Sequence, residues 1–539
     1  MVATYQHPGV YIEEIPSGSK PIEAVGTSTA VFVGYCEKGP VGEPVFVSGW
    51  SEYENVFGGI RELSVPEGVT EDFRALLASK KIGDPMGHAV YAFFENGGGK
   101  AWIVRLASSA TKATASIESG DTPLLTVHAS SEGSWGNGLV VRLQAKSTAE
   151  ENAEYRLEVG RKVTRGAGSE AAAVFEVDEV YENLSLESGS GDQLAAVVNE
   201  TSRQIAITLP SESPADIETL RGILNGVADG LTELTLADGD NGGWPAKTDY
   251  DDAFTRLQKY RDISIVLLPG AWWGDAGKAA IQSAIGHAET MANRMVIYDP
   301  EPGTELKNAH AVQSAGFSTS TYAALYYPWA WVANPFYDAE RAPGKPRRVL
   351  VSPAAFAAGM WARIDGKRGV WKAPAGVEAT LRGVAELQFV VENAEQDYLN
   401  PNGVNAFRRL PGFGSVIWGS RTGATRADPE WRYVPVRRTA IFIEESLYNG
   451  IQWAVFEPND HRLWSALRIN IESFMNGLFR VGAFQGEKAS EAYFVRCGLG
   501  STMTQGDIDA GRVIVEVGFA PLKPAEFVIV RIQQKVGQQ

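Results

Sequence analysis

Cysteine is nearly missing from this chain: Cys36 and Cys497 are the two in 539 residues. Lying far apart in sequence, they make neither a disulfide framework nor the close spacing of a metal site. Histidine is sparse as well, with six in all (His7, His88, His128, His287, His310 and His461), which leaves few bases for acid–base or nucleophilic chemistry. Positive charge is in the minority, 49 Lys and Arg against 65 Asp and Glu, for a formal net charge of -16. Nucleic-acid binding needs a basic surface to neutralise phosphates, so this balance argues against it. No run approaches the ~20 apolar residues of a membrane span. The N-terminal MVATYQHPGVYIEE has no basic region followed by an apolar core, so a secretory signal is not expected and the product reads as cytosolic.

What is present is an ordinary globular composition, 44% hydrophobic and 21% charged. A chain this long exceeds what one core sustains, so about two to four domains are expected. The segment from Trp453 to the C-terminus is the best organised. Leu463, Leu467, Ile471, Phe474 and Leu478 recur at the three-and-four spacing of one helical face. After them Val513, Val515, Val517 and Phe519 alternate with Ile514, Glu516 and Gly518, as in a strand with two unlike faces. Tyr493 to Cys497 reads as another strand, and Phe527 to Ile532 as a third, almost wholly apolar, behind Pro521 and Pro524. An apolar strand at a chain end needs a partner strand. Val10, Tyr11 and Ile12 pose the same problem after Pro8 and Gly9. The pattern admits two solutions: strands exchanged between copies, or strands completing a sheet within one subunit.

The segments HPGVYIEEI, VPVRRTAIFIEESL, WAVFEPND, YFVRC and VEVGFAPLKPAEFVIVRIQQ resemble the tail sheath proteins of contractile phage tails and related injection systems. GTSTAVFVGYCEKGP, YAFFENGGGKAWIVRL, GSWGNGL, DGKRGVWKAPAG and NPNGVNAFRRLPGFGSVIWGSRT are similar to sheath motifs as well, in the same order. The likeness is weakest over 108–236, where GSWGNGL alone resembles the family.

Between these motifs the chain alternates strand, helix and turn. VFVGY and AWIVRL read as strands, GWSEYENVFG and MGHAVYAFFENG as helices. Lys100 after three glycines suggests a phosphate loop, but Ala101 follows where Ser or Thr is required and the glycines lead into a strand. Residues 108–236, with short strands such as LLTVHA, EYRLEVG and QIAITL, read as a mostly β insertion; a carbohydrate-binding role is the functional alternative for it. DGDNGGWPAKTD resembles a calcium loop, but Gly242 stands at a ligand position, and a tight turn explains it better. DISIVLLP, KAAIQSAIGHAETM, RMVIYDP, YAALYYPWAWV and VSPAAFAAGMWARID then alternate as strand, helix, strand, strand, helix, which implies a parallel or mixed sheet covered by helices. The aromatic run from Tyr326 to Tyr337 reads as core or subunit interface. Paired arginines Arg347 and Arg348, Arg408 and Arg409, and Arg437 and Arg438 read as solvated or bonded to loop carbonyls.

The resemblance implies an α/β multidomain fold: a subtilisin-like α/β sheath domain, a mostly β outer insertion, and a C-terminal α+β assembly domain completed by exchanged terminal strands. On that basis the chain divides into an N-terminal linking arm (1–20), a first part of the body (21–107), the insertion (108–236), the α/β domain (237–425), the assembly domain (426–520) and a C-terminal linking arm (521–539). The linking residues would be Val10, Tyr11, Ile12 and Glu13 at one end and Phe527, Val528, Ile529, Val530 and Arg531 at the other. The receiving strands would be Tyr493, Phe494, Val495 and Arg496, with Val513, Ile514, Val515, Glu516 and Val517. Arg462 and Arg468 on the polar side of the helix would either touch an inner tube or solvate the outer face. A subtilisin-like fold raises hydrolysis, for which His310 and Asp299 are the least implausible pair; no GTSMA-like nucleophile segment is present. The implied function is that of a non-enzymatic sheath subunit without metal or cofactor. Its implied partners are further copies in stacked sixfold rings, the inner tail tube protein, and baseplate and tail terminator or cap proteins. Assembly in the bacterial cytoplasm into a phage tail or tail-like particle follows.

Overall fold

The computed structural model describes residues 21–62, 81–146, 154–165, 172–187, 189–209, 213–227, 230–274, 277–424, 428–527 and 529. The chain divides into two compact units, Gly26–Arg438 and Met1–Val25 together with Thr439–Gln539. In the larger unit the apolar run Thr29–Gly34 is buried at every position, because it is a central strand covered on both faces. It belongs to an eight-stranded sheet in the order Gly414–Ile417, Val404–Leu410, Ala323–Tyr327, Met295–Tyr298, Ile265–Leu267, Thr29–Gly34, Lys100–Arg105, Val45–Val47. The six inner strands run parallel, and an antiparallel strand closes each edge.

Alternation along the strands supplies two cores. One face sends Val31, Val296 and Leu325 into a cluster with Phe254, Ile281 and Ala284 from the helices Lys247–Leu257 and Lys278–Met291. On the other, Phe32 meets Phe93 of the helix Pro85–Glu95 edge-on at 5.4 Å, and Tyr326 Oη accepts a 2.8 Å bond from Trp361 Nε1 of the helix Pro353–Arg368. The expected alternation is therefore present, with one correction. YAALYYPWAWV is not one strand: Pro328, which cannot donate to a ladder, separates Ala323–Tyr327 from Ala330–Ala333, and the latter joins a second, three-stranded sheet with Arg348–Val351 and Glu386–Leu387. Tyr326, Tyr327 and Trp329 are core residues.

Within 108–236 two antiparallel sheets form, one of Leu231–Thr235, Leu139–Ala145, Tyr155–Arg165 and Ala172–Leu184, the other of Thr114–Ser119, Thr122–Ala129 and Ile205–Thr208. With the helices Leu194–Thr201 and Pro214–Asn225 they enclose a core of their own that includes Leu125, Val127, Leu157 and Leu220. The acidic, glycine-rich stretch after it is a turn. Gly242 takes φ +75, where a Cβ is disfavoured, and Asp240 Oδ1 accepts the Gly242 N–H at 2.7 Å, while Asp249 caps the following helix through the Ala246 N–H at 2.8 Å.

Candidate functional site

The smaller unit is built on the helix His461–Arg480. Asp460 caps it, its Oδ1 accepting the N–H groups of Arg462 at 2.9 Å and Leu463 at 3.1 Å. Leu463, Leu467, Ile471 and Leu478 are buried as their spacing requires, and Phe474 packs at 6.2 Å from Phe442 of the helix Val434–Gly450. Leu463, Trp464, Leu467, Cys497 and Met503 form a compact cluster, against which Val513 and Val515 lie half-buried.

Next to this helix Tyr493–Arg496 and Glu516–Phe519 pair antiparallel, Tyr493 opposite Phe519 and Arg496 opposite Glu516. A Cβ at Gly518 would meet the ring of Phe494, which packs over the bare backbone there. That ring is 46% exposed, with the Arg496 guanidinium 4.8 Å above it. Among the described residues each strand has only the other as a ladder partner, apart from an isolated bridge between Phe484 and Pro521. A two-stranded sheet carrying large apolar side chains into solvent is marginal alone and presents free backbone donors and acceptors at its edges.

The structure thus brings together Tyr493, Phe494, Val495 and Arg496 with Glu516 and Val517. Val513, Ile514 and Val515 precede the paired stretch and are not part of the ladder; the strand is Glu516–Phe519. The reason is local: Val513 and Val515 turn their side chains to the helix cluster, and the Ile514 carbonyl accepts the Thr502 hydroxyl at 2.7 Å. Phe527 and Ile529 are 77% and 79% exposed and outside any strand. Val528, Val530 and Arg531, and Val10, Tyr11, Ile12 and Glu13, lie outside the described residues. Arg462 is exposed, whereas Arg468 is half-buried and donates to the Cys497 carbonyl at 3.0 Å, tying the helix to the end of the strand.

The hydrolase constellation is not assembled. Asp299 is buried at the end of its strand, where it accepts the Ser352 hydroxyl and the Ala354 N–H (2.7 Å) at the start of the helix Pro353–Arg368; burial pushes its carboxyl up to about 7. His310 sits exposed on the short helix Ala309–Ser314 with the Ser314 hydroxyl at 3.4 Å. The space lined by Asp84, His88, Asp299 and Ser352, at the point where the strand order reverses, encloses about 10 Å³. That is the room of one water, not of a substrate. Burial pushes His88 down to about 4, and burial with the adjacent Arg294 does the same to His287, so both are neutral packing groups at neutral pH.

Two groups do more than the sequence suggests. Of the two alternatives for Arg437 and Arg438 the solvated one does not hold: Arg437 stacks 3.7 Å from Trp431, and Arg438 donates to the Thr27 carbonyl at 2.8 Å and pairs with Asp365 at 2.6 Å, the side chains of the pair almost fully buried. The usable signal is two charges directly ahead of the apolar run TAIFI. The second is the Asp84 carboxylate, whose Oδ1 accepts the Met86 N–H at 3.1 Å at the start of the helix Pro85–Glu95; Asp before Pro signals such a start.

Comparison with known proteins finds the family model for the phage tail sheath protein central domain matching residues 245–423, and that for the phage tail sheath C-terminal domain matching 426–535. The tail sheath protein of Vibrio phage KVP40 is 23% identical over 228 residues, 42% of this chain and 31% of that protein. The tail sheath protein of Burkholderia phage BcepMu is 30% identical over 201 residues, 35% of this chain and 40% of that protein, so under half of either curated relative's length is spanned. Among solved structures, the sheath complex of an extracellular contractile injection system in its contracted state aligns with 99% of both chains at a TM-score of 0.55 and 22% identity, a likeness of fold.

Proposed function

The chain belongs to the phage tail sheath family, and from that premise we propose that it is the structural subunit of a contractile sheath, polymerising helically around an inner tube and contracting to drive the tube through a target cell envelope. The observation that carries this reading is the two-stranded sheet Tyr493–Arg496 and Glu516–Phe519, which has no third strand among the described residues. Val10 to Glu13 and Phe527 to Arg531, donated by neighbouring copies, extend it. Each added strand forms a ladder of backbone hydrogen bonds, which holds neighbours together while side-chain contacts between subunits break and reform. Because donor and acceptor are different surfaces, the contact is heterologous and propagates into an open helix.

The doubly wound unit is the counterpart of the family's subtilisin-like domain and works as a rigid body, not as a hydrolase. The work of contraction comes from the difference between two packings of the same subunits. Copies stack in sixfold rings. The inner tube protein meets the polar side of the helix His461–Arg480, where Arg462 is the freer of the two arginines because Arg468 already serves the Cys497 carbonyl. Baseplate and terminator or cap proteins meet the ends, and assembly takes place in the bacterial cytoplasm. Residues 108–236 carry the outward decoration.

Negative-stain electron microscopy of the purified protein tests this, beside a version lacking Phe527 to Gln539. Hollow ridged cylinders from the full-length protein, absent after truncation, are expected. Cylinders that survive truncation overturn the arm assignment. Dispersed subunits that do not assemble even with the matching tube protein overturn the sheath reading and return attention to the insertion as a surface-binding module.

A further inference from the structure

The chain passes between its two units twice, at Val25–Gly26 and at Arg438–Thr439. Beside both crossings stands the same carboxylate. Asp365 Oδ2 accepts the Thr27 hydroxyl at 2.6 Å, and the Arg438 guanidinium forks onto Asp365, Nη1 to Oδ1 at 2.9 Å and Nη2 to Oδ2 at 2.6 Å. The same Nη2 donates to the Thr27 carbonyl at 2.8 Å, which closes a ring of three residues from remote parts of the sequence. The Arg438 and Asp365 side chains are 4% and 6% exposed. Arg438 also lies 4.5 Å over Trp361, whose indole N–H bonds Tyr326 Oη on a central strand, so the ring is joined to the sheet. Asp365 sits in the last turn of the helix Pro353–Arg368, where the helix dipole opposes a negative charge and the Arg438 guanidinium supplies the opposite one.

We propose that Asp365 is a positioning residue, one buried anchor that holds both connections, so that strain reaching the smaller unit's strands in an assembled lattice enters the larger unit through it. The lattice half of this rests on the sheath reading; the anchoring half does not. Asp365→Asn keeps the shape and removes the charge, and Arg438→Lys keeps the charge and removes the fork. Hydrogen–deuterium exchange on the unassembled full-length protein is expected to quicken about tenfold or more at residues 26–29 and 436–440 together in Asp365→Asn, less in Arg438→Lys, with Met295–Tyr298 unchanged in both. Quickening at one segment alone, or at neither, overturns the anchor. Electron microscopy then reads the lattice: Asp365→Asn is expected to give short or irregular cylinders and Arg438→Lys a milder form of the same defect, and cylinders of wild-type length and pitch from Asp365→Asn overturn the transmission. If the wild-type protein forms no cylinders even with the matching tube protein, the sheath reading falls and the exchange result decides the anchor by itself. Should Asp365→Asn fail to fold, Arg438→Lys and Thr27→Val carry the exchange test, the second expected to quicken residues 26–29.

Discussion

The eight-stranded sheet of the larger unit and the two-stranded sheet of the smaller one meet the edge problem in opposite ways. The eight-stranded sheet is covered by helices on both faces and closed at each side by an antiparallel strand, Val45–Val47 or Gly414–Ile417. The two-stranded sheet of the smaller unit keeps its ladder short and leaves Phe494 in solvent. One sheet is closed at both edges by strands of its own chain, and the other has no third strand among the described residues, as an acceptor in the proposed lattice would. Stability and assembly should therefore be separable by mutation.

The largest effect belongs to the eight-stranded sheet. Phe32→Ala removes a fully buried ring that meets Phe93, and should cost about 3–5 kcal/mol in denaturant unfolding. Phe494→Ala should cost the isolated protein under about 1 kcal/mol while suppressing cylinder formation; comparable losses of stability from both would erase the distinction.

Buried titrating groups give a second contrast, since those shifted furthest lie in the larger unit. Asp84 and Asp299 are raised by burial to about 6 and about 7, so the unfolded chain ionises them first and stability falls as pH rises from about 4 toward those values. His88 and His287 are lowered to about 4, so the unfolded chain protonates them first and stability falls in the other direction, as pH drops below about 6.5. The two effects oppose each other across one window. Asp299→Asn removes one arm, so melting temperature should rise more steeply with pH between 4 and 7 than in the parent; parallel curves would contradict the buried, protonated carboxyl.

Smaller effects sharpen the helix. Arg468→Ala strands the Cys497 carbonyl and should cost about 1–3 kcal/mol. Arg462→Glu on the exposed turn should leave unfolding within about 0.5 kcal/mol while weakening co-assembly with tube protein, seen as fewer extended particles; unchanged particles would remove the tube contact from this face. Asp460→Ala should cost about 1 kcal/mol through the lost cap, measured by the same unfolding curve.

Local pattern carried far where it was strong. The alternation of strands and helices from Ile265 to Arg368 and the apolar stripe of the helix His461–Arg480 follow from side-chain periods of two and 3.6, which act within a few residues. The strand expected from Val513 onward was read three residues too early, because alternation cannot tell a side chain facing a sheet neighbour from one facing a helix. Pairing of the arginines was invisible for a related reason: the partner of Arg438 is Asp365, 73 positions away, and nothing near either residue announces it.

By itself, then, the amino-acid order determined the elements, the apolar faces they bury and the family likeness, since all three reside in residue spacing along the chain. Tertiary structure alone decided which strand stands beside which, that Asp299 faces Ser352 while His310 stays in solvent, and that one carboxylate gathers Thr27 and Arg438. Those are contacts between distant segments, and burial, which sets their strength, exists only once the chain has closed around them.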